Sequence, residues 1–198
     1  MSSPALSTRE RILQTSANLI LSRGFSAMTV DMICAQANIT KGGFFHHFNN
    51  KEVLGEAVLQ QFWQDATERQ ARVTQAPYAR QLDRIVAYLD HAIATYQDPQ
   101  LGQGCMLAVF TMGLADTNPG LFQVSRDYFN QWRLELTDMF KQLQEEQGQE
   151  SLDTAAWAEL YIATLEGALV LAKANADPLV IARTLTLYKQ QLLRAIAA

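Results

Sequence analysis

Residues 39–52 read Ile39-Thr40-Lys41-Gly42-Gly43-Phe44-Phe45-His46-His47-Phe48-Asn49-Asn50-Lys51-Glu52. The Asn38-Ile39-Thr40 turn, with the Thr40 hydroxyl able to take an orphan N–H, predicts a short helix from Thr40 to about His47. Phe44 and Phe48 lie four apart on one face and read as core, whereas Phe45 and His46 point toward the other side. Gly42 and Gly43 cost about 1 kcal/mol each relative to alanine inside a helix. The sequence must gain something in exchange, and close approach of this backbone to an outside surface supplies it.

Working toward the N-terminus, Thr29 can cap a second short helix that carries Val30, Ile33 and Ala37. Before it, Ser7-Thr8-Arg9-Glu10 has the spacing of a capping box. Ile12, Leu13, Ala17, Leu19 and Ile20 then repeat at helical spacing up to Gly24, a residue suited to a helix stop. Phe25 packs beneath. A long helix followed by two short ones across a tight turn is a helix-turn-helix.

Toward the C-terminus, Asn49-Asn50-Lys51-Glu52 caps a fourth helix running to about Val73, with Val53, Leu54, Ala57, Val58, Phe62 and Ala66 as its inner stripe. Breakers follow at Asp98-Pro99, Gly102 to Gly104, Asn118-Pro119-Gly120, Gln147-Gly148 and Asp177-Pro178. They divide the remainder into helices of roughly 12 to 28 residues, with proline at Asp177-Pro178 reading as the first helical position. No strand pattern occurs. The fold class is therefore all-α, with about nine helices: a head of residues 1–52, a linker helix over 50–73, and a helical body over 74–198.

Charge is unevenly placed along the 198 residues. The whole chain carries −4, yet residues 1–52 hold five Lys/Arg against three acids, a net of +2, and the rest carries −6. A mildly basic head on an acidic body suits a protein that meets phosphate with one end only. Thr40 at a helix N-terminus combines a hydroxyl, free N–H groups and the positive dipole end, which favours a phosphate oxygen. Lys41 and Lys51 add neutralising charge on either side, although a solvated role for Lys51 is the alternative. His47 donates to phosphate even when neutral. Adjacent helical histidines diverge by about 100 degrees, so His46-His47 is a poor chelating pair. Thr29 caps its helix, touches phosphate, or does both.

The 39–52 run, with Arg11, Ile12, Gly24, Phe25, Thr29, Val30 and Ala37, resembles the TetR family of repressors over about 50 residues. The resemblance implies an all-helical homodimer that places a recognition helix in each of two successive major grooves of a palindromic operator. It also implies a body that binds a small-molecule effector and releases the DNA. On this reading Thr29, Thr40, Lys41, Gly42, Phe45, His46, His47 and Lys51 meet double-stranded DNA. Many members have tyrosine in place of Phe45, whose ring is then left to touch the backbone or a thymine methyl.

The last two helices, about Asp153 to Ala174 and Pro178 to Ile196, are too apolar for solvated surface. Their stripes include Trp157, Leu160, Tyr161 and Leu165, then Ile181, Leu185, Tyr188 and Leu192. Such stripes are more often intrachain core. The resemblance instead implies that these helices pair between subunits as a four-helix bundle. The run Leu160 to Ala172 contains Glu166, precedes Lys173, and is too short for a bilayer, which needs about 20 apolar residues; it reads as a buried helix.

The body is richer in aromatic and Met residues than a small helical core requires. Phe62, Trp63, Tyr88, His91, Met106, Phe110 and Phe129 are accordingly effector-site candidates as well as core candidates. Cys105 follows Gly104 at a predicted helix start, where the dipole raises the thiolate fraction. With Met106 and Lys173 it resembles a TetR subgroup that senses electrophiles and oxidants, against the alternative of a small buried hydrophobe beside a helix-end charge. Cys34 reads as structural. Two cysteines are too few for a disulfide framework and no signal pattern precedes the head, so a cytoplasmic location is expected. Neither a cofactor nor a membrane partner is expected. An enzyme is the weakest reading, since no phosphate loop, metal-ligand cluster or nucleophile–base set occurs.

Overall fold

The structure is a computed structural model that describes residues 6–98 and 103–197; the breakers expected at Pro99 and Gly102 lie outside those residues. Among the described residues there are nine α-helices and no strand. They are α1 (Thr8–Arg23), α2 (Val30–Ala37), α3 (Lys41–His47), α4 (Lys51–Thr74), α5 (Gln81–Thr95), α6 (Met106–Leu114), α7 (Pro119–Gln147), α8 (Thr154–Asn175) and α9 (Leu179–Ala197).

Local chemistry accounts for most of the helix ends. Ser7 Oγ accepts from the Glu10 backbone at 3.3 Å, and Glu10 Oε2 accepts from the Ser7 N–H at 2.7 Å. These bonds hold the Glu10 carboxyl below its usual range. Gly24 stops α1 at a φ of 80°, a conformation that glycine adopts without steric cost. The oxygens of Thr29, Asn50, Asn118 and Asp153 each accept a backbone N–H three residues on, at 2.8 to 3.2 Å. One end departs from expectation: α9 begins at Leu179, one residue after Pro178. The Asp177 carboxylate accepts the Leu179 N–H at 3.1 Å and pairs with Arg183 at 2.6 Å.

The chain forms two compact units, Met1–Gln64 with Cys105–Tyr128, and Asp65–Gly104 with Phe129–Ala198. The first unit therefore joins α1 to α3 with the start of α4, all of α6 and the start of α7. Ile12, Ile20, Met28, Ile33, Phe44, Leu54, Leu59 and Phe110 are fully buried in it. Phe25 is buried in it, with its ring 5.2 Å from that of Phe110. It also crowds Gly55, where an added Cβ would lie 2.7 Å from the Phe25 ring and 3.0 Å from Leu121. α6 is fastened to α7 by the buried Ser125, which donates to the Leu107 carbonyl at 2.8 Å and lies 2.9 Å from the Thr111 hydroxyl.

The second unit packs α5, the rest of α7, α8 and α9 around an aromatic cluster. Tyr161 has ring contacts to Tyr88, Trp132 and Tyr188 at 5.6, 6.1 and 5.5 Å. Buried polar tips find partners, as they must. Trp132 Nε1 donates to the Tyr88 hydroxyl at 3.2 Å, and the Tyr188 hydroxyl donates to the Trp157 carbonyl at 2.7 Å. Burial pushes the Tyr88 phenol up to about 12 and raises those of Tyr161 and Tyr188 as well. Lys189 pairs with Asp90 at 2.6 Å, tying α9 to α5.

Candidate functional site

The short helix α3 sorts its side chains as the spacing predicts. Phe44 and Phe48 are buried, at 0% and 3% exposure, with rings 6.1 Å apart. Thr40, Lys41, Gly42, Phe45, His46 and His47 are exposed, and half of the Phe45 surface faces outward. Thr40 Oγ1 accepts the Gly43 N–H at 3.1 Å, which caps the helix and fixes the hydroxyl at its positive end. Neither glycine is required by packing. The nearest atom to a Cβ added at Gly42 is Thr40 Oγ1 at 3.8 Å, and at Gly43 the same atom at 3.5 Å.

α3 is oriented by its neighbours in the head. Asn38 ends α2 in the left-handed region, at a φ of 51°, which turns the chain into α3. Arg11 donates from its guanidinium to the Ala37 carbonyl at 3.3 Å, fastening that turn to α1. The Arg9 guanidinium lies 5.6 Å from the centre of the Phe48 ring. Lys41 pairs with Asp31 at 2.8 Å, both side chains being well exposed. Such a pair is worth little in water, so its cation is readily given to another anion. Thr29 is exposed at the start of α2 and accepts from the Met32 N–H. The His46 and His47 rings are edge to face at 5.0 Å.

The Lys51 side chain turns into the head. Its ammonium donates to the carbonyls of Phe25, Ser26 and Met28 at 3.3, 3.4 and 3.1 Å. It also sits 4.6 Å from the centre of the Phe25 ring.

Comparison with known proteins shows the family. The family described as "Bacterial regulatory proteins, tetR family" matches residues 12–58, and "Transcriptional regulator LmrA/YxaF-like, C-terminal domain" matches residues 82–184. The chain belongs to the TetR family. Among relatives of this TetR-family chain, the HTH-type transcriptional repressor NemR of Escherichia coli is 29% identical over 109 residues, 55% of each chain. The repressor DhaR of a Mycobacterium species is 28% identical over 124 residues, 63% of this chain and 61% of DhaR. The chain thus matches a little over half the length of these relatives. A TetR transcriptional regulator from Chloroflexus aurantiacus superposes with a TM-score of 0.81 at 28% identity, covering 94% of both chains. The reduced form of E. coli NemR shares the fold, with a TM-score of 0.74 at 23% identity, covering 92% of this chain and 96% of that one. TetR-family regulators are transcription factors rather than enzymes.

The body residues of this TetR-family chain fall in several places. A cavity of about 340 Å³ in the second unit is lined from α4, α5 and α7 by Thr67, Gln70, Gln75, Arg84, Tyr88, Trp132, Glu135 and Asp138 among others. Of the effector candidates only Tyr88 lines it. Trp63 stacks on Tyr128 at 5.1 Å, Phe129 stacks on Trp132 at 6.2 Å, and Phe62 is half-buried on α4. His91, also half-buried, has its ring 3.5 Å from the Thr95 hydroxyl. Met106 and Phe110 are core residues of α6. Cys105 is buried immediately before α6, and Lys173 is exposed in the last turn of α8. Neither cysteine forms a disulfide, and burial pushes the Cys34 thiol up, with Asp31 adding to the shift.

The α8 and α9 stripes are likewise divided. Tyr161, Leu165, Ile181, Leu185, Tyr188 and Leu192 are buried within the one chain, Trp157 is half-buried, and Leu160 is 49% exposed. A side chain already buried in its own subunit has no surface left to offer a partner. The apolar residues that do face outward are Leu160, Val170, Leu171, Leu179 and Leu187. α8, expected to be buried, is buried over only a third of its most apolar window and is long and apolar enough to cross a membrane. Tyr161, Leu165 and Ala168 occupy its inward face, so Leu160, Val170 and Leu171 are left outside.

Proposed function

We propose that this chain is a repressor that binds double-stranded DNA as a homodimer, with α3 of each subunit in the major groove of a palindromic operator. The observation that carries this reading is the outward face of α3. A seven-residue helix exposes a capping threonine, a lysine, two histidines, a phenylalanine and a glycine whose missing side chain nothing inside the protein requires. Thr29, Thr40 and Lys41 then meet phosphate, which fixes register, while Phe45 and His46 meet base edges or sugar and His47 the backbone. Half-sites one helical turn apart, or a multiple of roughly 34–36 Å, follow from two-fold symmetry.

The outward apolar residues of α8 and α9 support the dimer, because an exposed apolar patch of this kind marks an interaction surface. A second subunit laid against Leu160, Val170, Leu171 and Leu187 removes it from water. The second-unit cavity around Tyr88 is the candidate effector site. α4, which contributes residues to both units, is the lever by which a ligand would bias DNA affinity. Sequencing the DNA that co-purifies with the protein tests the reading: an inverted repeat bound by a two-subunit species supports it. A monomer that shows no preference for any inverted-repeat duplex at low salt refutes it.

A second reading, release by modification of Cys105, draws on one observation. The thiol precedes α6, whose Phe110 lies against Phe25 in the same compact unit as α3. A bulky adduct on a buried thiol displaces the start of that helix. If Cys105→Ser still leaves operator DNA on electrophile treatment, the thiol is not the sensor.

A further inference from the structure

Arg84 lies near the start of α5 and lines the cavity of about 340 Å³ in the second unit. Its Nη1 donates to Gln142 Oε1 at 3.0 Å. That bond leaves the other edge of the guanidinium, formed by Nε and Nη2. Nε is buried without an acceptor, and among the described residues Nη2 has none and the guanidinium has no carboxylate partner. Gln81 Oε1, one turn earlier, is buried and unpartnered too, but it does not line the cavity and makes no bond to the arginine. Buried donors are paired in nearly all folded structures, so an open edge here calls for an occupant. Two parallel N–H groups are the geometry that takes both oxygens of a carboxylate.

The cavity's own carboxylates do not fill that edge. Glu135 and Asp138 line it from α7, one turn apart, and both are exposed. Gln142 stands between Asp138 and the arginine, because its Nε2 donates to Asp138 at 2.7 Å while its Oε1 accepts from Arg84. Glu135 accepts from Gln131 at 2.9 Å. Tyr88, Trp132, Leu136 and Met139 supply buried, largely apolar lining beside these groups.

These surroundings sort the possible ligands. A dianion such as a phosphate monoester gains one arginine and meets two like charges on α7. A monocarboxylate needs only the arginine edge, and an aromatic or apolar body then covers the Tyr88 and Trp132 side of the cavity. Glu135 and Asp138 each keep one oxygen that no glutamine occupies, which suits a hydroxyl or amino group elsewhere on the ligand. The volume falls at the small end of the range of about 300–1,000 Å³ for small-molecule sites.

We propose that the cavity takes a small aromatic or apolar monocarboxylate, seated with its two oxygens on the Nε and Nη2 edge of Arg84. This rests on the reading of the same cavity as the effector site. Calorimetric titration of the full chain tests it with 4-hydroxybenzoate, 4-hydroxyphenylacetate and indole-3-acetate, each set against its uncharged amide. At least one acid is expected to bind about tenfold or more tighter than its amide. That preference is expected to vanish in Arg84→Gln and to be intermediate in Arg84→Lys, which keeps the charge but loses the fork. The proposal is overturned if no acid is preferred to its amide, if the preference survives Arg84→Gln, or if phenyl phosphate binds as tightly as the acids.

Should the Arg84 variants fail to fold, the wild type decides by itself. The Arg84 Nε–H resonance, assigned through its bonds to the α5 backbone, is expected to move when a binding acid is added and to stay in place with the amide. A stationary resonance in acid-saturated protein overturns the assignment. Operator binding separates the two readings. An acid that binds through Arg84 yet leaves operator affinity unchanged overturns the effector role and leaves the ligand class standing, whereas acids that bind nowhere overturn the ligand class alone.

Discussion

Replacing Gly42 by alanine should move folding stability and DNA affinity in opposite directions. In the free protein the new methyl meets nothing closer than Thr40 Oγ1 at 3.8 Å, an ordinary contact, and the position is exposed. Glycine loses more backbone entropy on entering a helix, so alanine should stabilise α3 by about 0.5–1 kcal/mol. For a chain of this size that raises Tm by about 1–4 °C. Against the duplex the same methyl occupies space that the backbone was closing on. An overpacked contact costs about 1–3 kcal/mol, or roughly a 5- to 150-fold loss of affinity. Thermal unfolding and fluorescence anisotropy on one preparation measure both quantities. A variant that melts higher and binds operator as wild type does would show that Gly42 is not kept for close approach. A lower Tm would show a structural need for glycine that the spacing around it does not reveal.

Gly55→Ala should do the reverse inside the head: a Cβ 2.7 Å from the buried Phe25 ring overpacks the core, and a net loss of about 1–2 kcal/mol is expected as a lower urea midpoint at unchanged m-value. Tyr188→Phe removes the donor to the Trp157 carbonyl between α9 and α8, and should cost about 1 kcal/mol, or about 2–4 °C in Tm. The carboxyls of Glu10, Asp83 and Asp177 are all held below their ordinary values, chiefly by hydrogen bonds from Ser7, Arg80 and Arg183 respectively. A lowered folded-state pKa contributes stability that is present above the unfolded value and lost as pH falls through the folded one. Stability should therefore decline below about pH 4.5, the ordinary glutamate value. An NMR titration in which the Glu10 carboxyl has its midpoint at or above that value would refute the assignment.

The head was legible in the sequence because the signals that build it are local. Ser7 with Glu10, Thr29, Thr40 and Asn50 each act on an N–H three residues away, and Phe44 with Phe48 needs only the helical period. Family membership, read from residues 39–52 and a few upstream, follows from the same local pattern. What was not legible depends on partners distant in sequence. Lys51 reads as a surface cation until the 25–28 carbonyls are seen around it. The second-unit cavity draws on Gln70, Arg84, Glu135 and Asp138 from three helices, a polar lining that a search for aromatic residues passes over. α8 and α9 carry apolar residues on more than one face, so periodicity alone could not separate those buried in the subunit from those left outside.

The compact unit that holds the recognition helix is discontinuous in sequence, taking its last residues from 105–128. Exchanging heads between two such regulators by cutting after residue 52 would carry α3 across but part Phe25 from Phe110, on whose ring it rests, and from Gly55, whose missing side chain makes room for it. A working chimera would need two segments transplanted together, and any lineage that traded heads by a single recombination would have had to rebuild that seat afterwards.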